Sequence, residues 1–178
     1  MSTITEQAQQ IVPAGTWQAD TVHSAVTFEV PYAVAVFGGE VPEFQASLVD
    51  GTLTGAAKIE SIAVKEENLK AHLLSPEFFD GEQFPEVGFS GTAARRDGDS
   101  IEFDGDVTIK GITKPVTLTG TINGPTVDHF GATRVGLDLE ATIDRTEFGI
   151  TWNMALPNGQ PALSNEVTLL AKLTLVGQ

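Results

Sequence analysis

From Trp17 onward, apolar and polar residues alternate along one segment of the chain after another. In VHSAVTFEV, Val22, Ser24, Val26, Phe28 and Val30 fall on one face of an extended chain and the residues between them on the other. Successive side chains of a β-strand point to opposite faces, so the pattern predicts strands with one buried side. Four later segments repeat it, namely IEFDGDVTI, VTLTGTI, VGLDLEATI and VTLLAKLTL.

Short turn-forming sequences separate these segments. They are DG at 50–51, RRDGDS at 95–100, KGITKP at 110–115, NGP at 123–125 and NGQP at 158–161. Turns of this kind join neighbouring antiparallel strands. With two further strands predicted over residues 44–53 and 57–64, the chain contains about eight strands, and only residues 65–74 have a helical pattern.

These elements predict an all-β fold, an elongated antiparallel eight-stranded barrel with a short helical segment at one end. A strand over residues 17–30 would extend roughly 45 Å at about 3.3 Å per residue, which favours a tilted barrel over a sandwich. Residues 16–178 are expected to form one domain, and residues 1–15 a flexible polar lead. Many inward positions carry small side chains, so the interior is hollow unless large side chains from the opposite wall fill it.

Composition removes several classes of function. The chain carries 10 Lys and Arg against 24 Asp and Glu, a formal net charge of −14, which works against nucleic acids and anionic membranes as partners. The absence of cysteine excludes disulfides and thiolate chemistry. No signal peptide or run of about 18 apolar residues is visible, so we expect a cytoplasmic protein without stable membrane insertion.

Candidate catalytic residues are few. His23 and Ser24 are neighbours on a predicted strand and therefore point to opposite faces, which prevents them from acting together as nucleophile and base. The spacing of the three histidines predicts no metal site. Asp144 and Arg145 are interpreted as structural, because a guanidinium suits pairing with a carboxylate.

Phenylalanine is concentrated in AHLLSPEFFDGEQFPEVGF, residues 71–89, where Phe78, Phe79, Phe84 and Phe89 alternate with acidic and turn-forming residues. Such a segment suits neither a long helix nor a regular strand. The rings either form a lid that contacts a ligand at one mouth of a hollow barrel, or plug the end of a solid one.

The order of five motifs resembles that of the YceI-like family of polyisoprenoid-binding, lipocalin-like proteins. The motifs are TWQADTVHSAVTFEV, HLLSPEFFDGEQFPEVGFSG, GDVTIKGITKPVTLTG, TIDRTEFGITWN and LSNEVTLLAKLTL, which together cover about residues 16–176. The resemblance implies a barrel that holds a long isoprenoid or similar amphiphile, with no catalytic reaction. This chain lacks a histidine common near the end of the first strand, and Leu69-Lys70 replaces an Arg-Asp pair.

We therefore expect a non-enzymatic carrier or store for a polyisoprenoid, quinone-like or fatty-acyl lipid, with no other cofactor and no metal. An enzyme acting on such a lipid, a solid-cored interaction module and a homodimer stay open. Head-group contacts are assigned to His72, Lys110 and Lys114. The residues predicted to line the barrel and its mouth are Val26, Phe28, Val30, Phe37, Phe78, Phe79, Phe84, Phe89, Phe103, Val107, Ile109, Leu118, Phe148 and Trp152.

Overall fold

The computed structural model describes residues 11–178, which contain ten β-strands and one α-helix. The helix, α1, spans Glu67–Leu74. Short 3₁₀ turns lie before the helix at Ile59–Ser61 and after it at Arg145–Phe148. The strands are β1 (Thr16–Ala19), β2 (Ala25–Tyr32), β3 (Ala35–Glu40), β4 (Phe44–Val49), β5 (Thr52–Lys58), β6 (Glu86–Asp97), β7 (Ser100–Ile109), β8 (Ile112–Val127), β9 (Thr133–Asp144) and β10 (Glu166–Gly177).

The ten strand segments close into an eight-stranded barrel, which confirms the predicted fold. Strands β4 to β10 follow in the order β4-β5-β6-β7-β8-β9-β10, with every pair antiparallel. Both β1 and β2 pair with the free edge of β10, at Trp17↔Gly177 and Phe28↔Leu169. On their other sides β1 pairs with β4, and β2 pairs with β3. One position around the barrel is therefore occupied by β1 and β2 together, and the next by β3 and β4, which reduces ten segments to eight strands.

The prediction of one continuous strand over residues 17–30 is wrong. The chain turns at residues 20–24, where the His23 amide donates to the Asp20 carbonyl at 3.1 Å, and the Ser24 hydroxyl accepts from the Thr174 amide at 2.9 Å. Val22, expected to point inward, is 85% exposed. The inward alternation begins beyond the turn, with Phe28 and Val30 both buried.

Three other predicted boundaries also change. Asp50 and Gly51 both have positive φ and form the hairpin turn inside the predicted strand 44–53. The strand predicted over residues 57–64 ends at Lys58, because a 3₁₀ turn follows. The NGP sequence is not a turn between strands, since β8 continues through an irregularity there to Val127. The turn between β8 and β9 forms after Val127, where the Asp128 carboxylate accepts from the Phe130 and Ala132 amides.

The predicted helical segment is present and covers one end of the barrel, which we call the upper end. The Glu66 carboxylate caps α1 by accepting from the amides of Asn68 and Leu69, each at 3.2 Å. Within the helix, the side chain of Leu73 is buried. Of the predicted flexible lead, residues 1–10 lie outside the described part; Val12, in the remainder, is only 3% exposed.

The lower end of the barrel, where β1 meets β10, is filled by side chains from all around the wall. Leu48, Phe103, Val135 and Leu175 show no solvent exposure. This half of the interior is therefore a packed hydrophobic core of the ordinary kind.

Close strand contacts near the middle of the barrel require glycine. A Cβ atom on Gly120 would collide with the carbonyl oxygen of Asp138 on β9. Gly136, also on β9, has room, since the nearest atom to its Cβ would be Asn123 Cβ at 3.8 Å.

We predict that Gly120→Ala lowers the free energy of unfolding by about 1–3 kcal/mol, because strands β8 and β9 must separate to admit the methyl group. The control Gly136→Ala adds the same methyl group to the neighbouring strand and should be neutral or slightly stabilising. Urea unfolding of the two variants beside the wild type measures both effects. Equal stability of the two variants would contradict the conclusion that the close contact at Gly120 requires glycine.

Ion pairs join the turn between β1 and β2 to the start of β9. The Arg134 guanidinium donates to Asp20 Oδ2 at 2.9 Å and to Asp128 Oδ2 at 2.6 Å, and His23 Nδ1 lies 2.7 Å from Asp20 Oδ2. The hydrogen bonds from His23 and Arg134 hold the pKa of the Asp20 carboxyl well below its ordinary value. Arg134 also lowers the pKa of Asp128.

We predict that this cluster makes stability sensitive to acid. The folded-state pKa of Asp20 lies below its unfolded value of about 3.9, so its contribution is complete above that pH and is lost as the pH falls through the folded-state pKa. Asp20→Asn should therefore lower the urea midpoint at pH 7, and the deficit should shrink below about pH 4. Asp106→Asn, which removes an exposed carboxylate of β7, controls for net charge; a deficit as large in that variant would refute the prediction.

Candidate ligand-binding site

The upper half of the barrel contains two adjoining apolar cavities. The lower chamber, of about 140 Å³, lies at mid-height between β4, β5, β6 and β10. The upper chamber, of about 100 Å³, lies between it and the upper end. Five residues border both chambers, so the two chambers adjoin at this level; these residues are Val26, Thr27, Ala57, Val87 and Leu169.

Aromatic rings line the upper chamber. Phe78 and Phe79, from the loop after α1, line it together with Phe148 from the second 3₁₀ turn. Phe79 packs edge-on against Phe28, with ring centroids 6.3 Å apart, and Phe28 against Phe37 at 6.0 Å. Two residues of the phenylalanine-rich segment therefore face the chamber, and we call the loop that carries them the lid loop. Whether their rings contact a ligand or only plug this end of the barrel stays a prediction.

Backbone and side-chain contacts hold this lid loop in place. The amides of Phe78 and Asp80 donate to the Ser75 carbonyl at 3.0 and 2.9 Å. Lys110, in the β7–β8 turn, donates from Nζ to the Pro76 carbonyl at 2.6 Å. A hydrogen bond thus joins the lid loop to the hairpin between β7 and β8.

Most of the predicted lining residues border one of the chambers. Whether they bind a lipid stays a prediction. The lower chamber includes Val26, Phe89, Val107 and Leu118. The upper chamber includes Val26, Phe28, Val30, Phe37, Phe78, Phe79, Ile109 and Phe148.

Three predicted lining residues border neither chamber. Phe103 is fully buried in the packed core of the lower half. Phe84 packs over the β7–β8 turn, where a Cβ on Gly111 would lie 2.7 Å from its ring. Trp152 lies against the rings of His72 and Phe78, at 4.8 and 5.5 Å, behind the lid.

The proposed head-group residues are engaged with the protein or lie in a strand. His72 Nε2 lies 2.6 Å from Glu77 Oε2, and its ring packs edge-on against Phe78 at 4.7 Å. Lys110 holds the lid loop. The turn predicted over residues 110–115 comprises only Lys110 and Gly111. Lys114 lies in β8, where it pairs with Val107 of β7. None of the three borders a chamber.

Arg145 is the one charged side chain bordering the chambers among residues 11–178. It is only 4% exposed, and burial lowers the pKa of its guanidinium. Its donors meet backbone carbonyls rather than the expected carboxylate: Nε donates to Ser164 at 2.8 Å, and Nη1 to Ile150 and Trp152 at 2.9 and 2.8 Å. Asp144 instead accepts from the Thr146 amide and hydroxyl, at 2.9 and 2.6 Å.

The segment between Ile150 and Leu163 contributes two lining residues that the sequence analysis did not name. Both of these residues border the upper chamber. The Asn153 side chain holds the segment together by accepting from the Leu163 amide at 2.9 Å and donating to its carbonyl at 2.7 Å. The segment has no strand alternation, so only the turn-forming NGQP signalled its course.

Comparison with known proteins identifies the barrel. The model of the YceI-like domain matches residues 17–175. The chain belongs to the YceI-like family. Family relatives include Protein YceI of Salmonella arizonae and of Salmonella paratyphi B, each 36% identical over 107 residues, or 60% of this chain and 53% of the relative. The chain thus matches over about half the length of these curated relatives.

Solved structures share the YceI-like fold at low sequence identity. BcnA of Burkholderia cenocepacia has a TM-score of 0.74 at 18% identity, covering 88% of this chain and 98% of its own. A polyisoprenoid-binding domain from Saccharophagus degradans has a TM-score of 0.70 at 9% identity, covering 91% and 98%. Within residues 11–178 no helix is long and apolar enough to cross a bilayer.

We predict that Arg145→Met lowers the free energy of unfolding by about 3 kcal/mol or more, because several buried carbonyls lose their donor. Arg145→Lys should recover only part of this loss, since a single ammonium group cannot reproduce the planar fork. Thermal unfolding of both variants measures the effect. Wild-type stability of Arg145→Met with an altered set of bound lipids would overturn the structural role and make Arg145 a head-group residue.

Proposed function

We propose that the protein is a non-enzymatic carrier or store for an isoprenoid-type or similar amphiphile, whose tail occupies the two chambers. The observation that carries the proposal is the pair of adjoining chambers with nearly all-apolar walls beneath an aromatic lid. Membership of the YceI-like family and the fold shared with a polyisoprenoid-binding domain support the same class of ligand.

The energetics suit a carrier. Each buried methylene contributes about 0.8 kcal/mol relative to water, but a membrane solvates the same tail equally well. A carrier that exchanges lipid with a membrane therefore needs only near-parity with the bilayer. Apolar walls without specific polar contacts meet this requirement, and the side chains of His72 and Lys110 are engaged with the lid loop rather than with the chambers.

The enzymatic alternative requires a general acid or base beside the ligand. Among the residues considered for that role, His23 has a side chain 65% exposed and pairs with Asp20 on the outside of the barrel. Neither His72 nor Glu29 borders a chamber. Arg145, which does, stays protonated at ordinary pH and cannot act as a base. These positions favour binding over catalysis.

The direct test is to purify the protein without detergent, extract it with organic solvent and analyse the extract by mass spectrometry. We expect a bound amphiphile at up to one molecule per protein, or uptake of added isoprenoid alcohols or quinones by the empty protein. Protein that is repeatedly empty and takes up none of these lipids would overturn the proposal.

Val26→Trp is the matching variant, because Val26 borders both chambers where they adjoin. We predict that the indole occupies ligand space, so the thermal midpoint stays close to that of the wild type while bound lipid per protein falls. Val36→Trp, at a position 64% exposed on β3, is the control and should retain lipid. A large loss of stability in Val26→Trp with undiminished lipid capacity would indicate a solid core at this position.

A further inference from the structure

Two segments form one exposed apolar corner at the upper end of the barrel. They are the turn between β2 and β3, at residues 32–35, and the loop at residues 153–162, and we call them together the apex. The Ala33 amide donates to the Ala162 carbonyl, and the Ala162 amide to the Met154 carbonyl, each at 2.8 Å, so the two segments lie side by side. Three large apolar side chains of the apex are exposed, namely Val34 at 104%, Met154 at 58% and Tyr32 at 41%.

The apex is uncharged, although the protein is strongly acidic. Residues 30–39 and 148–165, which include both of its segments, contain no Asp, Glu, Lys, Arg or His, whereas charged residues make up 19% of the chain. The net charge of −14 is therefore carried by other parts of the sequence. An exposed apolar patch of this kind marks a surface that contacts another protein or a membrane.

The size and charge of the apex favour a membrane. A stable interface between proteins takes about 20–30 residues from each partner, far more than the apex presents. Three apolar side chains can instead enter the interfacial layer of a bilayer, where the ring of Tyr32 is buried while its hydroxyl stays hydrated. The lipid must be zwitterionic, because a protein with a net charge of −14 is repelled by anionic head groups.

The apex continues directly into the wall of the upper chamber. Tyr32 forms a β-bridge with Leu163, which borders that chamber. Val30 and Phe37, which pair across β2 and β3, border it as well. Val30 lies two residues from Tyr32, or about 7 Å along the strand. A bilayer in contact with the apex therefore lies beside the wall of the chamber.

We propose that the apex docks reversibly on the surface of a zwitterionic bilayer, and that the barrel exchanges its ligand with the membrane in this docked state. The exchange rests on the proposed function, whereas the docking rests on the apex alone. Docking is reversible because only a few apolar side chains enter the lipid, and it requires no spanning segment.

The first test is flotation of the purified protein with vesicles of pure phosphatidylcholine, and with vesicles in which a third of this lipid is replaced by phosphatidylglycerol. The wild type should float with the neutral vesicles. Its bound fraction should fall on the anionic vesicles and recover in high salt, because salt screens the repulsion. Absence of binding to the neutral vesicles, or stronger binding to the anionic ones, would overturn the proposal.

A matched pair of variants assigns the contact to the apex. Val34→Asp should lower the fraction bound to neutral vesicles about tenfold, because a carboxylate is costly to remove from water. Val22→Asp adds the same charge in the turn at the other end of β2, at a position 85% exposed, and should bind as the wild type does. An equal loss in both variants would mean that net charge alone governs binding, and would refute the role of the apex.

Ligand loading separates this proposal from the proposed function. Geranylgeraniol added from ethanol, without vesicles, reaches the chambers directly, so Val34→Asp should load like the wild type; from phosphatidylcholine vesicles it should load about tenfold more slowly. Equal rates from vesicles would overturn the docked exchange and leave the proposed function standing. Wild-type protein that floats with vesicles but never loads would overturn the proposed function and leave the docking. Self-association of the wild type without vesicles, abolished by Val34→Asp, would assign the apex to a second copy of the chain and overturn the membrane as its partner.

Discussion

The structure depends on the closure of the sheet along β10. This strand pairs along one edge with β9, and along the other with β2 and then β1, so two segments separated by a turn complete the ring. Closure leaves the barrel wall without a free edge at these positions and satisfies its backbone groups within the wall. The interior then needs no polar groups, and part of it can be empty without leaving unpaired donors or acceptors.

Alternation predicted the barrel because it reports which face of each strand is buried. It placed Val26, Phe28 and Val30 inward correctly, and it failed at Val22, whose amide donates to the Asp20 carboxylate at 3.0 Å and whose chain turns out of the strand there. Such local side-chain bonds compete with the strand and leave no trace in hydrophobic periodicity.

The candidate site could be predicted only in part, because alternation does not report how the interior is filled. Alternation assigns both Val107 and Phe103 to the interior, but one borders a chamber and the other lies in packed core, because the side chains of the opposite wall decide between these outcomes. Arg145 was interpreted as structural from its residue type, which stays a prediction. Its partners could not be predicted, since the carbonyls come from a loop without periodicity that returns to it at residues 150–164.

The division of the barrel into a packed lower half and a partly empty upper half separates two demands on the sequence. In the lower half the side chains of Leu48, Phe103 and Leu175 are sealed from water and packed without cavities, so a change of size there strains the fold directly. Side chains around the chambers already have space beside them, so a change of size there alters the shape of the cavity more than it strains the fold. Over evolutionary time such a barrel can exchange one apolar ligand for another through substitutions in its upper half, while its lower half keeps the same architecture.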